Sequence, residues 1–156
     1  MRSLMHTLMA RLGRRAAATV ELAVAFPAVV LLLGNIADGA LMLRRHAQLA
    51  GGVANAASYA ARMGGGVAAG TLQSIATNSS WLTGASASVS AVACHCPAGT
   101  PRVLGTAVAC GAACADGTTA AKYVTISGSY SHAPLVPSVI GAGARTLAHS
   151  ATVMLK

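Results

Sequence analysis

A chain of 156 residues that is 54% hydrophobic but only 3% aromatic and 9% charged is long enough for one modest domain plus an anchor, and too poor in large side chains for a second core. Its net charge of +8 would suit a nucleic-acid partner, yet Arg2, Arg11, Arg14, Arg15, Arg44 and Arg45 flank a single apolar run and form no surface patch, so none is expected. The three acids, Glu21, Asp38 and Asp116, are too scattered to suggest a catalytic carboxylate pair.

Residues 1–16 read as a basic cytoplasmic leader without an acid, with Leu4, Leu8, Met9 and Leu12 on one helical face. Residues 17–43 read as a transmembrane helix. Between Arg14-Arg15 and Arg44-Arg45 lie 28 residues carrying only Glu21 and Asp38 as charges. At ~1.5 Å per residue they suffice to cross a ~30 Å hydrocarbon layer. A cleavable secretory signal fits poorly, because the run outlasts the ~7–15 apolar residues such a signal needs and carries an acid at its threshold. An ionised carboxylate unpaired at the bilayer centre costs roughly 2.5–3.5 kcal/mol, so Glu21 calls for a cationic partner. Four basic residues precede the run and two follow it, which places the N-terminus in the cytoplasm and the rest outside it.

Residues 44–63 continue the helix in amphipathic form, with Pro27 bending it earlier or opening its hydrogen-bond ladder. Leu49, Val53, Ala56, Ala57 and Ala60 recur at three- and four-residue steps, and Arg45, Gln48, Asn55 and Arg62 are assigned elsewhere on the wheel. The glycines at 64–66 end the helix. Residues 64–156 then form an extracytoplasmic α+β domain. Within it, residues 71–82 predict a short helix capped by Thr71 and packed down by Trp81. Three alternating segments predict strands: 85–94, with Ala85, Ala87, Val89, Ala91 and Ala93 against serines; 123–130, with Val124, Ile126 and Tyr130 on one face; and 145–156, with Leu147, His149, Ala151, Val153 and Leu155 on one face. The prolines and glycines of 131–143 predict a loop. The expected architecture is α+β, a long N-terminal transmembrane helix packed on a small antiparallel sheet.

Cys94, Cys96, Cys110 and Cys114 have spacings that zinc would tolerate, but an extracytoplasmic location favours two disulfides. Cys94 and Cys96 share one face of a strand and are poorly placed to bond each other, so both reach to Cys110 and Cys114. Antiparallel register favours nesting, Cys96–Cys110 inside Cys94–Cys114. A Cys94–His95 nucleophile would point its two side chains to opposite faces. His132 and His149 read as strand or loop residues, and the glycines at 64–66 lack the lysine of a phosphate loop. No catalytic residue, metal or cofactor is expected.

The stretch GRRAAATVELAVAFPAVVLLLGNIADGALMLRRHAQLAGGVANAASYAAR resembles the TadE-like family, pilin-like accessory subunits of the bacterial Tad (tight adherence, Flp) pilus machinery. It is similar in its basic leader, small-residue processing site, glutamate, proline-containing apolar helix, Asp-x-Gly and Ala-rich continuation. The segment YVTISGSYSHAPLVPSVIGAGARTLAHSATVMLK resembles the family's closing pattern of two strands around a Pro-bearing loop. The resemblance implies a pilin-like fold and cleavage by a prepilin peptidase between Ala16 and Ala17, leaving Glu21 as fifth residue of the mature chain. Gly13 stands earlier than the glycine that often precedes that cut, and Leu22 occupies a position where an aromatic is common. In such assemblies the Glu21 carboxylate would neutralise the freed N-terminal amine of a neighbouring subunit.

The implied function is that of a minor pilin or pseudopilin: a single-pass protein of the bacterial inner membrane with a periplasmic domain, possessing no enzymatic activity, whose partners are the prepilin peptidase, other pilin-like subunits, the Tad inner-membrane machinery and the lipid bilayer. The alternative is an unprocessed single-pass protein whose disulfide-stabilised extracytoplasmic domain binds a ligand. A thiol-disulfide enzyme using Cys110 and Cys114 lacks the C-x-x-C motif.

Overall fold

A computed structural model describes residues 2–98, 103–134 and 143–155, with side-chain surroundings from residue 19 onward and, in the third strand, from residue 104. The elements in chain order are helix α1 (Arg2–Met63), a 3-10 turn (Gly64–Gly66), helix α2 (Ala69–Ser80), and strands β1 (Ser86–Val89), β2 (Ala93–Ala98), β3 (Val103–Val108), β4 (Ala121–His132) and β5 (Arg145–Leu155). The chain divides into two units: residues 1–41 with 134–143, and residues 42–133 with 144–156. The α+β class and the long apolar N-terminal helix with a small antiparallel sheet are as the sequence predicts.

The first unit contains the apolar part of α1. Ala, Leu and Val dominate it and propagate the helix through Pro27, whose ring removes one N–H from the ladder without ending the element. Its large side chains face outward: Val24 is 75% exposed, Leu22 66% and Phe26 61%. Such a surface is expensive in water and natural in lipid. Asn35, polar within this stretch, donates its Nδ2 to the Leu31 carbonyl at 2.7 Å, the local satisfaction a hydrocarbon environment demands.

In the second unit, α1 from Met42 onward and α2 cover one face of a five-stranded antiparallel sheet. Val53, Ala56 and Ala60 of α1, Leu72 and Ala76 of α2, and Val124, Ile126 and Leu155 of the sheet form the core. Its side chains are small, so the backbones approach closely. A Cβ added at Gly128 of β4 would meet Val53 Cγ2 at 2.9 Å and Leu49 Cδ1 at 3.0 Å, and one at Gly52 of α1 would run into the Ala76 carbonyl and Ser80 of α2. Glycine at these two positions is what lets α1 lie close against both the sheet and the second helix.

β4 is the spine of the sheet. Along one edge it pairs with β5 in unbroken register from Lys122↔Leu155 to His132↔Arg145. Its other edge takes β1 at Ile126–Ser129 and β2 at Ala121–Tyr123, and β3 pairs outside β2. The single strand expected over 85–94 is therefore two strands on one edge, interrupted after Val89. Ser90 bridges the break, its N–H donating to the Thr125 carbonyl and its Oγ accepting the Thr125 N–H, both at 2.9 Å. β3 was not expected at all; its pairing with β2 shifts register between His95 and Pro97, where proline can sit in a ladder.

Two further expectations about helix ends are corrected. Thr71 does not cap α2: the N-cap is Ala68, without a side-chain hydrogen bond, and Thr71 lies in the first turn with its N–H on the Ala68 carbonyl. Trp81 does not pack the helix down; it is the C-cap, in left-handed conformation with φ 56°, and its side chain is 86% exposed. The predicted loop over 131–143 falls mostly outside the described residues.

Candidate functional site

Glu21 occupies the apolar part of α1 and is exposed. Among the described residues no ion pair of Glu21 is seen. Asp38, farther along the helix, is half-buried. The expected cut between Ala16 and Ala17 falls within the helical backbone of α1, where side chains lie outside the described residues.

All four cysteines are oxidised, but not in the nested pattern. Cys94 bonds Cys110 and Cys96 bonds Cys114, with Cα–Cα distances of 5.1 and 5.6 Å. Nesting requires 110–114 to be the strand opposite 94–96. That place belongs to β3, which sets Cys94 against Val108. Cys110 follows β3 directly and lies beside Cys94, while the turn closed by Ala112 N–H on the Ala109 carbonyl brings Cys114 back toward Cys96. Asp116 belongs to the same loop: its Oδ1 accepts from the Thr118 N–H and hydroxyl at 3.1 and 2.6 Å, a turn-forming role.

The sheet face away from the helices is built of hydroxyls. Ser86 and Ser129 share a hydrogen bond at 2.8 Å, as do Thr125 and Thr152. Ser86, Ser88, Ser127, Ser129 and Ser150 line an open hollow of about 590 Å³ with no charged group in its wall. This arrangement can accept hydrogen bonds broadly but has no nucleophile–base pair. Among the described residues, no group of three or more His, Cys, Asp or Glu is placed to hold a metal ion.

Sequence reasoning missed the cluster at the other end of the sheet from the disulfides. Arg45 was assigned away from the apolar stripe, yet it lies one turn before Leu49 and in phase with it. Its Nη1 donates to His132 Nδ1 at 2.5 Å, and its guanidinium lies 5.6 Å from the centre of the Tyr130 ring. Because arginine only donates, His132 carries its proton on Nε2 in this contact. His132 is 2% exposed, continuing the inward series Val124, Ile126, Gly128, Tyr130; carrying that alternation two residues past Tyr130 would have found it. His46, next on α1, meets His149 of β5 edge to face at 5.8 Å.

No family model, curated protein or solved structure matches the chain.

Proposed function

We propose that this chain is a minor pilin or pseudopilin of a Tad (Flp-type) pilus system, anchored by α1 in the bacterial inner membrane with its sheet domain in the periplasm. The observation that carries the proposal is the placement of Glu21: an exposed acid near the start of the apolar run of a helix long and apolar enough to cross a membrane. A carboxylate there is stabilised when an adjacent subunit presents a cation, and cleavage between Ala16 and Ala17 would create such a cation as a free amine. Prepilin peptidase, sister pilin-like subunits and the Tad inner-membrane machinery are the partners this mechanism requires. The protein performs no chemistry of its own. Two disulfides in the sheet domain suit an oxidising compartment.

Mass spectrometry of protein from assembled material tests the processing step, an N-terminus at Ala17 being expected. Glu21→Ala should leave the protein resistant to carbonate extraction and weaken its co-purification with sister subunits about 100-fold, the scale of one unpaired intramembrane charge. Normal assembly by that variant sinks the mechanism.

The hydroxyl-lined hollow favours one other reading, an unprocessed single-pass protein with a ligand-binding domain. Functional protein that retains Met1 selects it.

A further inference from the structure

We infer that the end of the second unit where α1 enters it is a docking surface for anionic lipid headgroups, with Arg44 and Arg145 as the phosphate-binding groups. The inference rests on the membrane-spanning role of the apolar run. Three arginines, Arg44, Arg45 and Arg145, lie at this end. Arg45 is fixed by His132 and Tyr130 and is not available. Arg44 precedes it on α1 and is exposed; Arg145 is exposed and directly opposite His132 in the β4–β5 register. No carboxylate of the second unit answers them. Its single acid, Asp116, belongs to the loop before β4, at the opposite end of a strand of 12 residues. Asp38, the nearest acid along α1, lies six residues before Arg44, and one carboxylate does not balance three guanidiniums.

Depth identifies the anion. The exposed apolar side chains of α1 run through Leu43, 68% exposed, so Arg44 stands at the boundary where hydrocarbon gives way to headgroups. Arginine pairs bidentately with phosphate, and basic residues beside a membrane segment gain from anionic lipid.

Trp81 supplies an independent observation. α2 runs back along α1, with Leu72 near Ala60 and Gly64, and Ser80 at Gly52. α2 thereby runs toward the same end, and Trp81 follows Ser80 at the level of Gly52, eight residues (~12 Å) along α1 from Arg44. A bulky residue at φ 56° with 86% of its surface exposed is strained and unburied at once. Indole is the side chain that settles at a membrane–water boundary, apolar ring inward and N–H toward water.

Trp81 is the only tryptophan, so its fluorescence reports on this surface without labelling. The test uses the full chain in nanodiscs of either phosphatidylcholine alone or phosphatidylcholine with phosphatidylglycerol, each doped with headgroup-spin-labelled lipid as quencher. Stronger quenching and a blue-shifted emission are expected with phosphatidylglycerol. Native mass spectrometry should show retained phosphatidylglycerol, falling about fivefold for each of Arg44→Gln and Arg145→Gln. Arg62→Gln, at the far end of α1, should change neither readout. Emission and lipid retention that ignore both substitutions overturn the inference, as does an equal loss in the Arg62 variant. Saturable binding of inorganic phosphate to protein in phosphatidylcholine discs reassigns the site to a soluble anion and also overturns it. Carbonate extraction runs in parallel: extractable protein means the anchor reading has failed, whereas resistant protein with insensitive Trp81 means this inference alone has failed.

Discussion

Gly128 sits under the helix with a space too small for any side chain. Gly128→Val would drive its branches into Leu49 and Val53, and destabilisation by about 1–3 kcal/mol is expected in urea unfolding of the oxidised protein. Ile126, 0% exposed in the same strand, should cost about 2–5 kcal/mol on truncation to alanine, measured the same way. Both residues were legible in the sequence as to face, because the two-residue period of β4 is intact. Trp81 and Arg45 were not. A tryptophan at a helix end reads as an anchor by size alone, since sequence does not show that the helix stops one residue earlier, with Ser80 buried and Trp81 turned out by its left-handed conformation. Arg45 is not legible because charge ordinarily marks exposure, whereas its position one turn before Leu49 carries the stem along the stripe and an imidazole and a phenol ring accommodate the head.

At the scale of elements, the helical stripe and the long hairpin of β4 and β5 followed from periodicity, and the middle of the chain did not. Residues 85–94 alternate as one strand; the break after Val89 depends on a serine hydroxyl replacing a backbone group against Thr125, a choice only the partner strand dictates. β3 contains Gly105, whose missing side chain keeps it clear of the Cys96 carbonyl, and glycine within a short segment argues against a strand when read alone. Cysteine connectivity went wrong with β3, because register arguments need the right pair of strands. Non-reducing peptide mapping should recover Cys94 joined to Cys110 and Cys96 joined to Cys114, and never the nested pair. Replacing Cys94 and Cys110 together by alanine should lower stability by about 2–4 kcal/mol while leaving α1 membrane-integrated.

For the whole molecule, both covalent cross-links join β2 to the segment after β3, and neither reaches α1 or α2. Within the second unit, α1 is held by a seam of alanine, valine and leucine against β4 and α2, helped by the Arg45–His132 contact. Pulling α1 away from the sheet therefore loads that seam, which no disulfide spans. In single-molecule pulling between the anchor and the sheet, the first rupture should be the detachment of α1, at the same force whether or not a reductant is present. The cysteines protect the sheet's far corner from unravelling, and the weakest link of the tether is its smallest side chains.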